Sequence, residues 1–110
     1  MFNVCYSEAA KRDLEQIGDY IADDLKNPQA ALNTVSRIQD AIDRLSEFPF
    51  IGAPLSAVAG VDTDYRLLVC GNYLAFYRPQ EKEVLIDRIL YGRRDYLTIL
   101  FGNLPKDNEI

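Results

Sequence analysis

The sequence predicts an α+β fold in the order β-α-α-β-β-β with a short C-terminal helix, an antiparallel sheet packed on an N-terminal helical hairpin. Three observations predict it. Two runs of apolar residues at helical spacing follow one another in the first half, divided by Asn27-Pro28. Three strand-like runs follow in the second half, joined by turn residues. One short alternating run, FNVCY, precedes them all.

In residues 2–6, Phe2, Val4 and Tyr6 alternate with Asn3 and Cys5, the period of a strand. Ser7 can cap a helix N-terminus, with Glu8 just inside to meet the positive end of its dipole. Ala10, Leu14, Ile17, Ile21 and Leu25 then mark one helical face, and Asp13, Glu15, Asp19, Asp23 and Asp24 are read as a solvated face. Asn27 serves as the next cap with Pro28 at the first helical position, where its missing N–H costs nothing. Ala31, Val35, Ile38, Ile42 and Leu45 repeat at three and four across a second helix, and the short connection makes the pair an antiparallel hairpin.

From Phe48-Pro49-Phe50-Ile51-Gly52-Ala53-Pro54 to about Thr63 the chain reads as an irregular crossover, with Phe48, Phe50 and Ile51 tucked against the core. Residues 65–69, 73–78 and 84–91 are the three strands. Cys70-Gly71-Asn72 makes the first turn and Gln80-Glu81-Lys82-Glu83 the second. The last strand is apolar on both faces apart from Asp87 and Arg88, which places it inside the sheet. Asp95 caps a final short helix carrying Leu97, Leu100 and Phe101. One domain spanning residues 1–104 is expected, with 105–110 as a flexible tail.

Composition narrows the function. At 110 residues the chain can bury one core without metal or disulfide staples. It has no histidine, and Cys5 and Cys70 make no ligand spacing, so no metal and no cofactor are expected. No apolar run nears the ~18 residues of a membrane span, and the charged N-terminus does not suit a signal peptide. A cytoplasmic protein with no membrane partner is expected. The net charge of −5 and pI near 4.6 argue against general nucleic-acid binding. Nine acidic and five basic residues fall in positions 1–50, against eight and seven in 51–110, so a local basic site can sit on the second half. There, between Tyr65 and Asp95, lie Arg66, Arg78, Arg88, Arg93 and Arg94, with tyrosines among them.

Three pieces carry a family resemblance: Tyr65-Arg66-Leu67-Leu68, Gly71-Asn72-Tyr73-Leu74-Ala75-Phe76-Tyr77-Arg78, and Ile89-Leu90-Tyr91-Gly92-Arg93-Arg94-Asp95. In this order, after Phe48-Pro49 and Gly52, the chain resembles the RelE/ParE superfamily of bacterial toxins, and is closer to its ParE-like branch. The resemblance implies the toxin of a type II toxin–antitoxin module, of the kind that stabilises plasmids, bound by a cognate antitoxin. It implies one of two targets: DNA gyrase, inhibited by ParE-like members, or the ribosome with its mRNA, where RelE-like members act as endoribonucleases.

Cleaving RNA through its 2′-hydroxyl needs a base, cationic donors for the phosphate and an acid. By resemblance, Arg66 falls where the ribonucleases carry lysine or arginine, and Arg94 matches their arginine after the glycine. Leu68 and Leu74 stand where further basic residues are expected, and Tyr91 stands where histidine is frequent. A tyrosine near pKa 10 or an arginine above 12 is no ready base at pH 7, so Tyr96, Asp95 or Asp87 would have to act. The candidate catalytic or target-binding residues are therefore Arg66, Arg93, Arg94, Arg88, Tyr91 and Tyr96, with Arg88 either a site residue or half of an ion pair. The ParE-like expectation is inhibition of gyrase by contact. The alternatives are a RelE-like mRNA endoribonuclease and a degenerate, non-toxic member that only binds an antitoxin.

Overall fold

The structure, a computed structural model, describes residues 1–102. The expected domain end at residue 104 and the expected tail lie outside the described residues. Strand β1 spans Asn3–Tyr6 and helix α1 Glu8–Asp19. The Ser7 hydroxyl accepts from the Ala10 amide at 3.0 Å, closing the first turn of α1, and donates to the Asp87 carbonyl at 2.7 Å, pinning that turn to the sheet. A π-helical turn, Tyr20–Asp24, ends the first arm of the hairpin. Lys26 takes the left-handed backbone conformation at φ 53°, and Asn27 caps α2, Pro28–Asp43, by accepting from the Ala30 amide.

A 3₁₀ turn over Arg44–Ser46 leads into the crossover. That segment is less irregular than its prolines and glycines suggest: Ala53–Pro54 form a short strand, β2, and Leu55–Ala59 a helical turn, α3. Pro54 sits on an edge strand, where a missing ladder donor is tolerated. Strands β3 (Arg66–Cys70), β4 (Tyr73–Pro79) and β5 (Glu83–Tyr91) follow, then helix α4 (Tyr96–Phe101). Gly71, the first of two loop residues between β3 and β4, sits at φ 63°, the value the tight hairpin demands.

The sheet order is β1-β5-β4-β3-β2. Strands β3, β4 and β5 pair antiparallel as the sequence predicts, β2 adds an antiparallel edge to β3 that the sequence does not announce, and β1 lies parallel to β5. The parallel edge is possible because a long stretch of chain, beginning with the helical hairpin, separates β1 from β5, as a parallel pair requires. Strand β5 is thus an interior strand, as its apolar faces require.

Each sheet face has its own core. The hairpin side buries Ala10, Ile38, Ile42 and Leu45 against Ala75, Tyr77, Val84, Ile86 and Ile89. The far side buries Leu55, Leu67, Phe76 and Leu90 under α3 and α4. Phe48, Phe50 and Ile51 do not tuck into either core. They stand 54%, 62% and 43% exposed, while Pro49 and Gly52 between and after them are buried. Gly52 decides this geometry: a Cβ there would meet the Leu67 carbonyl and the Tyr77 hydroxyl at 2.6 Å, so the loop packs by its backbone and turns its side chains outward.

Candidate functional site

A cleft of about 860 Å³ lies between the helical hairpin and one end of the sheet. Ile17, Tyr20, Ile21 and Leu25 line it from α1 and the π turn, Arg37 from α2, and Tyr73, Ile89, Tyr91 and Arg94 from the sheet and the turn after it. The π turn widens the backbone where the wall needs both an inward Ile21 and an outward Tyr20, and such turns recur at functional sites. Tyr73 and Tyr91 face each other on β4 and β5 and meet edge to face at 5.7 Å.

Asp13 lines the cleft and is held in a charge pair with Arg88, which is not itself part of the lining. Arg88 donates from Nε and Nη2 to the two carboxylate oxygens of Asp13, at 2.8 and 2.9 Å. The Ile89 amide donates to the same carboxylate at 2.9 Å. A register shift between Phe76 and Tyr77 on β4 leaves an extra residue on β5 beside them, and the Asp13–Arg88 contact lies at this bulge. Asp13 is therefore buried, not part of the solvated face. The signal was in its spacing, because Asp13 stands three residues from Ala10 and four from Ile17, on the apolar stripe itself. Of the two open readings for Arg88, the ion pair is the one observed.

The other predicted residues disperse. Tyr91 and Arg94 border the cleft, both exposed. Arg93 is exposed and lies outside the cleft lining. Arg66 sits at the opposite end of β3. There its Nε and Nη2 donate to the carbonyls of Gly52 and Phe50 at 3.0 and 3.1 Å, and its guanidinium lies 5.3 Å from the Phe50 ring. Tyr96 packs on Phe76, on the far side of the sheet from the cleft. Leu68 joins the hairpin-side core and Leu74 the far-side core, so the two leucines face opposite ways. Sequence reasoning missed Arg37 and Tyr20 as cleft residues, since nothing in a helical wheel says which exposed positions overlook a cavity.

The carboxylates offered as catalytic partners are engaged. Asp95 caps α4, accepting from the Thr98 amide and hydroxyl. Asp87 accepts from Arg78 Nε at 3.0 Å, so Arg78 is half-buried in an ion pair. Burial pushes the Tyr73 hydroxyl above its usual pKa, and Tyr65 up to about 12 with the Asp87 carboxylate beside it. Both shifts move away from general-base duty at neutral pH. Among the described residues no three His, Cys, Asp or Glu side chains converge as a metal site, and no helix is long and apolar enough to cross a membrane.

The cleft is thus lined by apolar side chains, tyrosines and two arginines, and its one carboxylate, Asp13, is already paired with Arg88. The family model described as the ParE toxin of the type II toxin–antitoxin system parDE matches residues 4–96. The chain therefore belongs to the ParE toxin family, the toxins of type II toxin–antitoxin systems. Among solved structures, it is similar to a chain of a chromosomal ParDE toxin–antitoxin system from P. aeruginosa. The two share 27% identity over 83% of this chain and 96% of the other, with a TM-score of 0.70. A weaker similarity links it to YafQ from E. coli strain BL21(DE3), at 15% identity over 83% of this chain and 93% of the other, with a TM-score of 0.45. No curated protein matches the sequence.

Proposed function

We propose that this toxin arrests growth by binding DNA gyrase through surface contact, and that it performs no RNA chemistry. The observation that carries this reading is the fate of the cations a ribonuclease needs. Arg66 is spent on two backbone carbonyls and Arg88 on Asp13. Leu68 and Leu74, at the positions of further basic residues, face opposite sides of the sheet. A crowded phosphate dianion-like transition state needs convergent donors, and of the arginines expected to serve there only Arg94 borders the cleft. Contact inhibition asks only for a stable fold and exposed recognition surface, which the Phe48-Pro49-Phe50-Ile51 loop and the cleft both offer.

Purified toxin is expected to block gyrase supercoiling in vitro, and mRNA 5′ ends in expressing cells are expected to be unchanged. Arg94 beside Tyr91 favours the ribonuclease as the second reading. Codon-phased mRNA cleavage that disappears in Arg94→Ala would establish that reading and end the gyrase proposal. Normal growth with abundant folded toxin and no antitoxin present would identify a degenerate member instead.

A further inference from the structure

We infer that the Phe48-Pro49-Phe50-Ile51 loop is the toxin's contact with gyrase, and that it enters an apolar site on the enzyme's protein surface rimmed by lysine or arginine. The inference rests on the gyrase reading and adds the toxin surface and the chemistry of the site that receives it.

The apolar part of the argument is surface without a neighbour on a backbone that is held fast. Phe48, Phe50 and Ile51 face solvent, and Ala53 and Pro54, also exposed, continue that surface along the sheet edge. The loop beneath them is braced. The Ile51 amide donates to the Phe48 carbonyl at 3.2 Å, closing the turn, and Pro49 is buried. The Gly52 amide donates to the Tyr77 hydroxyl, and Arg66 donates to the carbonyls of Phe50 and Gly52. Two phenylalanines are thus presented on a fixed turn, so little backbone entropy is lost when a partner covers them. Aromatic side chains are enriched at the centres of protein–protein contacts.

The polar part fixes the partner's sign. Between Arg44 and Arg66 the chain carries Glu47, Asp62 and Asp64 and no lysine or arginine, and all three carboxylates are exposed. Arg66 is turned back onto the loop's own carbonyls. The surface is therefore apolar with acidic flanks, on a chain of net charge −5. DNA phosphates repel such a surface, and in a second copy acid would meet acid. An enzyme that handles DNA gathers lysine and arginine along its DNA path. Apolar protein surface beside such residues complements the loop in both respects.

The loop also stands apart from the cleft. It hangs from the Arg66 end of β3 and the Tyr77 end of β4, whereas Cys70 and Tyr73, at the other ends of these paired strands, line the cleft. A partner seated on the loop leaves the cleft open.

The test is plasmid supercoiling by purified gyrase, titrated with wild-type toxin and with Phe48→Ser/Phe50→Ser, Glu47→Lys and Leu32→Ser, each checked for folding by thermal melt. The double variant is expected to raise the half-inhibitory concentration about tenfold or more. Glu47→Lys is expected to raise it about threefold at low salt and less at high salt. Leu32→Ser, which removes an exposed apolar side chain from α2, should stay within about twofold of wild type. Glu47→Lys keeps the test decisive should the double variant melt early. Full inhibition by the folded double variant, or by Glu47→Lys at low salt, overturns the inference and spares the gyrase reading. A toxin dimer that the double variant dissolves assigns the loop to a second copy and likewise overturns it. Absence of inhibition by wild-type toxin overturns both.

Discussion

Arg88 grips both carboxylate oxygens of Asp13, joining α1 to β5 across 75 positions of sequence. Each charge interrupts an apolar stripe, and each is explained by the other. Because Asp13 is only 8% exposed at its side chain, removing one partner strands the other in a site with little water. Arg88→Leu and Asp13→Leu are each expected to destabilise the fold by about 3 kcal/mol, whereas the double Leu variant recovers most of that loss. Chemical denaturation of the three variants measures the coupling; additive single losses would show that the pair is not a unit.

Gly52 and Tyr77 make a second node. The Gly52 amide donates to the Tyr77 hydroxyl at 2.9 Å in a fully buried contact, and there is no room for a Cβ. Gly52→Ala is expected to cost about 1–3 kcal/mol by overpacking. Tyr77→Phe, which leaves the amide without an acceptor, is expected to cost a similar ~1–3 kcal/mol. Burial holds the Tyr77 hydroxyl protonated well past neutral pH, despite the donors beside it. Thermal melts at pH 7 check both variants; unchanged midpoints would remove the node from the account of stability.

The elements were legible because local chemistry and tertiary demand agreed. Ser7, Asn27 and Asp95 each cap the helix the sequence assigns to them, and Gly71 makes the turn its neighbours require. The parallel pairing of β1 was not legible, since a four-residue strand carries no sign of its partner's direction. The candidate site was legible in part. Residue type marked Arg66, Arg88 and Arg94 equally, and only the fold distinguishes a guanidinium bound to backbone carbonyls, one bound to a buried carboxylate, and one left at a cleft mouth. Hydrophobicity misplaced Phe48, Phe50 and Ile51, because Gly52 reaches the core by its backbone and turns them outward.

Arg66 yields a prediction that separates a structural tie from a phosphate donor. Its two hydrogen bonds hold the carbonyls of Phe50 and Gly52, and its guanidinium stacks on Phe50. Arg66→Ala is expected to speed amide exchange across residues 48–54 and to lower stability by about 1–2 kcal/mol, a modest value because the site is partly solvated. Exchange in the cleft, at residues 17–25, should be unaffected. A variant with an unaltered loop and abolished toxicity would assign Arg66 to the target instead.

Alkaline pH tests the burial of the hairpin-side core. Burial pushes the Cys70 thiol from 9.0 up to about 11, and the Tyr6 hydroxyl from 10.0 up to about 12, where the Asp43 and Cys70 charges add to the effect. In each case the folded state holds its proton more tightly than the unfolded chain. Stability is therefore full below pH 9 and falls as pH rises through the window from 9 to 11 for Cys70 and from 10 to 12 for Tyr6. Melting temperature should be level from about pH 7 to 8.5 and decline beyond. Cys70→Ala removes the first ionisation, so its decline should begin about one pH unit later, where tyrosine takes over. Iodoacetamide should modify half-buried Cys5 well before Cys70, which is 7% exposed. Parallel declines of wild type and Cys70→Ala from pH 9 would mean that the thiol titrates alike in both states, and that its place in the core does not govern the alkaline limit.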